Sequence, residues 1–252
     1  MIIRENKDTF IMIEQHNHAE VSADMMANWD FELNIEFPLT ESVHYAIRNH
    51  DVGWRNFDKQ PFWDDKEKKP YDFNSFPLAA KMIIYQHGIN EVEKQDLYAG
   101  LLCSVHYSNF LVGVKFDDAK AFVKEEKNRQ KRLTHQLGGI NKRLFEFHYD
   151  LLKFADSLSL FLCLNEPGTK KENHHYFFKN GIRMPKRLSE DNATIEWKGK
   201  DAILLNPFPF KNNFSVELKQ KEIPKHEIQQ DGLIHTYENT PFQQIPIQIL
   251  SK

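Results

Sequence analysis

The residues best suited to chemistry lie in the stretch HYAIRNHDVGWRNFD, residues 44–58, where His50 is followed directly by Asp51 and, after one apolar residue, by Gly53. Val43, Ala46, Ile47 and Trp54 recur at helical spacing, and His50 follows Ile47 and Val43 on the face that turns inward. A histidine and an aspartate on adjacent helical positions are about 100° apart, so both reach one ion only if it sits between them. The pair then offers one neutral nitrogen and one anionic oxygen. The plainer alternative is a buried histidine bonded to a backbone carbonyl beside an aspartate at a helix end.

Further ligand-type residues sit on apolar stripes elsewhere, at separations that packed helices bring together. Asn17-His18-Ala19-Glu20 has the form of a capping box, and the helix it opens carries His18, Ser22, Met25 and Trp29 on one stripe. Asn90-Glu91-Val92-Glu93 is a second such box, opening a helix through about Val112 whose inward stripe is Ala99, Leu102, Cys103, His106 and Phe110. For His18 and His106 alike, the alternative is a satisfied core histidine. The last long helix, about residues 141–164, is apolar nearly all round Asp156, with Leu152, Phe154, Leu158 and Leu160 among its neighbours. An unpaired carboxylate there costs roughly several kcal/mol, so Asp156 needs a cation, a set of hydrogen bonds or a proton. Lys153 is expected to snorkel outward. A metal ion held together with His18, His50 and Asp51 satisfies Asp156.

The elements that must position these residues are mostly helical. Residues 2–14 read as a hairpin, residues 30–38 as a connector, and Thr40 as the cap of the helix that carries His50 and Asp51. Residues 57–76 are aromatic, charged and proline-punctuated, the signature of a long loop that either covers a binding site or is a solvated surface excursion; Arg48, Arg55, Lys59 and Asp58 lie near it, as contacts for an anionic substrate or, the plainer reading, as surface charges. Residues 77–87 read as a short helix stopped by Gly88, and residues 117–137 as a solvated helix rich in Lys, Arg and Glu. Beyond Pro167 the chain turns polar, with His174 and His175 expected at the surface. Short strands follow at residues 194–197, 202–205, 214–218 and 233–237. Cys103 and Cys163 lie in apolar contexts and read as reduced core thiols, and a net charge of -3 gives no electrostatic case for nucleic acid or a membrane surface. Without a membrane-spanning run or a secretory signal, the expected compartment is the cytoplasm.

In order and spacing these residues resemble the HD-domain superfamily of metal-dependent phosphohydrolases, whose helical core carries a histidine, a His-Asp pair and a distant aspartate. The matching positions are His18 in NHAEVSADMMANW, His50 and Asp51 in HDVGW, and Asp156 in FADSLSL. The resemblance covers roughly residues 15–165 and is greatest to a bacterial branch with a C-terminal extension. It implies His18, His50, Asp51 and Asp156 as ligands of a divalent transition metal, and their nitrogen and oxygen donors suit manganese, iron or zinc. The histidine-rich signature of the cyclic-dinucleotide phosphodiesterase branch is absent, since no adjacent His-His pair lies between His106 and Asp156. A place for His106 at a second metal or at the substrate stays open, with His87, His135 and His148 as competitors.

The expected architecture is mainly α: an HD-type helical bundle over residues 15–166, a small β-rich module from residues 1–14 and 190–252, and a linker over 167–189. The expected function is metal-dependent hydrolysis of a phosphate ester or nucleotide, with Asp51, His106 and Asp58 in catalytic roles and a small phosphorylated molecule as partner. A homo-oligomer is left open. The alternatives are a non-haem iron oxygenase of HD type and a non-catalytic, metal-containing ligand-binding or interaction module.

Overall fold

The computed structural model describes residues 1–30 and 40–252. The expected connector at 30–38 falls, apart from Asp30, outside the described residues. Ile2–Glu5 (β1) and Thr9–Ile13 (β2) form an antiparallel hairpin with Ile3 opposite Met12. Its alternation is apolar on both faces: Ile2, Ile11 and Ile13 enter the main core, while Phe10 and Met12 enter a second, smaller one. Such a ribbon must be covered on both sides.

The helices come next. Gln15–Met26 (α1) and Thr40–Asn49 (α2) precede a 3-10 turn at Val52–Trp54 and the short Arg55–Asp58 (α3), and a minimal hairpin, Trp63–Asp64 (β3) with Lys69–Pro70 (β4), follows. Four longer helices then run in sequence: Leu78–Gln95 (α4), Leu97–Leu111 (α5), Asp117–Gln136 (α6) and Lys142–Leu164 (α7). None of the described helices is long and apolar enough to cross a membrane. The remaining chain supplies Ile182–Arg183 (β5), Asn192–Lys198 (β6), Ala202–Asn206 (β7), Phe214–Pro224 (β8), Lys225–Asp231 (α8), Leu233–Asn239 (α9) and Gln243–Ser251 (β9).

These strands and the N-terminal hairpin make one seven-stranded sheet in the order β1-β2-β8-β9-β7-β6-β5. Phe10 stands opposite Ile223, so the two ends of the chain meet at the β2–β8 seam. The mainly α expectation is therefore corrected: the protein is mixed α/β, 51% helical, with the sheet curled into half a barrel. Two features hid the size of the sheet. β9 carries Pro246, which has no N–H for the ladder, inside an otherwise alternating run, and that strand went unread. Residues 233–237, expected as a strand, lie in the helix Leu233–Asn239, because Leu233, Thr236 and Tyr237 are its buried residues, a helical spacing, and Leu233 and Tyr237 cover the outer face of the hairpin. The inner face shares its core with the helices, since Ile11, Ile13, Val216, Ile247 and Ile249 belong to the same apolar cluster as α1 and α7.

One glycine pair fixes how the helices sit. α4 runs straight through Gly88, the expected stop, because the backbone of Gly53 lies against it: a Cβ on Gly88 would come within 2.9 Å of the Gly53 nitrogen. A Cβ on Gly53 would come within 2.3 Å of the Ile84 carbonyl oxygen, a clash that flexible side chains cannot absorb. The glycine after the His-Asp pair thus permits close backbone packing of the turn that carries the pair onto α4. Gly53→Ala should cost about 2–4 kcal/mol, at or above the usual range for overpacking because backbone and not a side chain must move. Denaturant melts check it, and wild-type stability would show that α4 is not seated on this turn.

Candidate metal centre

His50 is the first residue beyond α2, not part of it, and this places it. Its Nδ1 donates to the carbonyl of Ile47 at 2.7 Å, capping its own helix and turning Nε2 into the core. Asp51 follows in a non-helical conformation, φ -112 and ψ 18, so the pair does not occupy consecutive helical positions as the spacing suggested. His18 comes from α1 and Asp156 from the middle of α7.

α1 begins at Gln15 rather than at the expected capping box, and Asn17 is buried inside it. The acceptor for its first turn comes from Asp58, whose Oδ2 receives the Gln15 N–H at 2.6 Å while Oδ1 receives the N-terminal ammonium at 2.5 Å. Burial pushes the pKa of Asp58 up, against the pull of that ammonium. Both oxygens are engaged, so the structure brings Asp58 to the root of α1 and not to the substrate side of the site.

The four expected ligands converge. Nε2 of His18 lies 3.1 Å from Nε2 of His50, 3.2 Å from Oδ2 of Asp51 and 3.4 Å from Oδ1 of Asp156. Nε2 of His50 lies 3.7 Å and 3.5 Å from the same two oxygens. Ligand atoms about 2.1 Å from a shared ion lie about 3.0 Å apart at an octahedral edge and about 3.4 Å apart at a tetrahedral one, close to the separations of the two histidines from each other and from either carboxylate oxygen.

The protons are arranged for the same purpose. Because a carbonyl only accepts, the His50 proton sits on Nδ1 and the neutral ring has its lone pair on Nε2. For His18, Nδ1 lies 2.6 Å from the Ser159 hydroxyl, which donates its own proton to the Asp156 carbonyl at 3.0 Å. Ser159 therefore accepts from Nδ1–H, and the His18 lone pair also falls on Nε2. Ser22 braces Ser159 at 2.7 Å, and the Tyr107 hydroxyl donates to Oδ1 of Asp51 at 2.8 Å. Ligating histidines are typically oriented by such a bond from the other ring nitrogen. Burial works against a charged His50, but Asp51 and Asp156 outweigh it and carry its pKa up to about 9; both carboxyls are held below their ordinary values chiefly by His50, against burial.

His106, on α5, faces the other oxygen of Asp156 at 3.7 Å. Its Nδ1 is buried and makes no hydrogen bond among the described residues, and burial lowers its pKa to about 4. The competing histidines lie elsewhere: His87 and His135 are exposed, and the Nδ1 of His148 is 2.7 Å from the Tyr98 hydroxyl. His18, His50 and Asp51 form one buried group that could hold a metal ion, and His50, His106 and Asp156 another.

A cavity of about 260 Å3 opens onto Asp156 and His106, with Phe110, Tyr149, Lys153 and Arg183 among its walls. Lys153 reaches outward as expected, pairing with Asp150 at 2.7 Å. The loop at residues 57–76 is not part of this cavity, and Arg48 and Arg55 pair with Asp24 and Glu91 instead. His174, expected at the surface, is buried against Phe161, while Cys103 and Cys163 are free and buried as expected.

Ser159, Tyr107 and Arg183 were not read as site residues. Ser22 and Ser159 carried a signal, lying one helical turn beyond His18 and Asp156. Ser159→Ala and Tyr107→Phe should each lower metal affinity about 10- to 100-fold while the protein stays folded. Metal titration with far-UV circular dichroism checks this; wild-type affinity in both variants would show that packing alone orients His18 and Asp51.

No curated protein and no solved structure matches the chain. A family model matches residues 1–225, from the N-terminal hairpin to the end of β8 and so across every residue of the centre. The chain belongs to that family, described as a protein of unknown function (DUF3891).

Proposed function

We propose that the protein is a metal-dependent hydrolase of HD type that acts on a phosphate ester or nucleotide. The observation that carries this reading is the approach of the Nε2 atoms of His18 and His50 to carboxylate oxygens of Asp51 and Asp156, buried behind a cavity that Asp156 lines. The ordering of His18, the His-Asp pair and Asp156 on packed helices supports the HD resemblance. Those four residues would hold a divalent ion; nitrogen and oxygen donors without thiolate suit manganese, iron or zinc. Such an ion polarises a phosphoryl oxygen and lowers the pKa of the attacking water.

The chain's own residues do the rest. Asp156 divides its oxygens between the imidazoles of His18 and His50 and that of His106, so it fixes the floor of the cavity. Tyr107 and Ser159 hold Asp51 and His18 against rotation as substrate enters. His106 lines the cavity beside Asp156, where its neutral ring would take the proton of the attacking water and pass it to the leaving oxygen. The reaction consumes one water, breaks the P–O ester bond and releases the alcohol and phosphate.

The iron-oxygenase reading stands second, because each of the two groups contains two histidines and one aspartate, the donor set of non-haem iron oxygenases. Assays with manganese-, zinc- and iron-loaded protein separate the two: release of phosphate without oxygen is expected, and turnover that requires both iron and oxygen would put the oxygenase first. No bound metal after reconstitution with all three ions would remove the proposal. Asp156 tests the site itself. Asp156→Asn keeps the volume but removes the anion, so metal affinity should fall at least tenfold with the fold intact. Asp156→Leu should abolish metal binding and leave apo stability within about 1 kcal/mol of wild type or raise it, as apolar replacement of buried charge often does. Undiminished affinity in Asp156→Asn, by metal titration, would take Asp156 out of the site.

A further inference from the structure

The segment between α7 and β6 contributes a residue to the cavity that no helix supplies. β5 pairs with β6 through Ile182 opposite Ala193 and Arg183 opposite Asn192. Gly181 enters this pairing at φ +80, and a Cβ there would come within 2.2 Å of the Ala193 carbonyl oxygen, so only glycine brings the chain in this close. Ile182 and Met184 are anchored in the core at 1% and 3% exposure. Arg183, between them, is exposed and lines the cavity with Asp156, His106 and Met184.

Arg183 has no ion pair among the described residues, whereas Lys153 is neutralised by Asp150 and lies over the Tyr149 ring at 4.6 Å. The cavity therefore holds one guanidinium with its donors uncommitted, seated on an anchored strand. A planar fork of N–H donors matches two oxygens of a phosphoryl group, which a point charge such as an ammonium does not. The charge balance also calls for it. Asp51 and Asp156 together cancel a divalent ion, so a dianionic phosphate entering the cavity needs a further cation.

We infer that Arg183 recognises the phosphoryl group and that the substrate is a small phosphomonoester whose organic part rests against Phe110 and Tyr149. This rests on the phosphohydrolase reading. The volume of about 260 Å3 lies below the range of about 300–1,000 Å3 that houses drug-sized ligands, and it matches a small phosphomonoester better than a dinucleotide. Phe110, half exposed at 52%, supplies the apolar surface that such an alcohol requires.

The test is calorimetric binding of inorganic phosphate to the full chain loaded with manganese or zinc, with metal affinity measured alongside. Arg183→Gln should weaken phosphate about 10- to 100-fold without changing metal affinity, and Arg183→Lys should restore only part of the loss. Phosphate should also displace a dinucleoside monophosphate, which binds at least tenfold more weakly. Equal phosphate affinity in wild type and Arg183→Gln would overturn the inference, as would no phosphate binding to metal-loaded wild type or equal affinity for the dinucleoside monophosphate. The two readings fail separately. Phosphate release that persists while Arg183→Gln binds phosphate as wild type removes Arg183 alone. Arg183-dependent phosphate binding in a protein that hydrolyses no phosphomonoester keeps Arg183 and removes the hydrolase.

Discussion

Two neutral imidazoles with lone pairs turned on one another would repel, and His18 and His50 hold their Nε2 atoms 3.1 Å apart, both rings buried. Neither ring can turn away, because Nδ1 of His50 is committed to the Ile47 carbonyl and Nδ1 of His18 to Ser159. Two carboxylates converge on the same point. Such a cluster is stable only with a positive charge inside it. In the protein alone that charge is a proton on His50, which the carboxylates hold up to a pKa of about 9. A divalent ion meets the same requirement with more charge and with lone pairs that already face it. A domain is stable by only about 5–15 kcal/mol, so a buried cluster this costly to assemble is weak as a structural device and well suited to a site.

The rest of the fold is arranged to keep these residues from relaxing. α7 carries Asp156 and Ser159 but has no basic residue in its last turn, and its terminal carbonyls are capped from the sheet: Arg4 of β1 donates to Leu162 at 3.1 Å and Cys163 at 2.8 Å. α1 has no side-chain cap of its own and takes one from Asp58, just beyond the His-Asp turn. That turn is pressed onto α4 through Gly53 and Gly88. Each element of the site is thus terminated or seated by a residue distant in sequence. The hairpin belongs to the site as much as the helices do, since Arg4 secures the helix that holds Asp156.

The candidate ligands were legible in the sequence because a histidine or aspartate in an apolar context is a local conflict, and four such conflicts in the right order have few resolutions. Ser159 and Tyr107 were not, because a serine or tyrosine inside an apolar helix raises no conflict; only their distance to His18 and Asp51 gives them a role. The boundaries went wrong where tertiary contacts override local signals. Asn17 to Glu20 has capping chemistry, yet Asp58 caps the helix two residues earlier. Gly88 has the chemistry of a stop, yet it serves a close backbone approach. The sheet was underestimated because β9 interrupts its pattern with a proline and because its partners come from both ends of the chain.

Residues 167–189 show most clearly why composition misleads about a site. Their charge and polarity read as a linker, but polarity reports the side chains that face water and says nothing of the few that anchor. Phe178, Ile182 and Met184 are each no more than 3% exposed, and with them the segment is fixed against α7 and β6. Anchored in this way, it becomes a cavity wall, and the exposed Arg183 between two anchors has a defined place. α5 and α7 supply most of the cavity wall, and Arg183 of β5 with Met184 beside it adds the side that these helices leave open. The same two helices carry His106 and Asp156, and the segment at Arg183 and Met184 completes what they begin, so the helical portion alone does not contain the whole site.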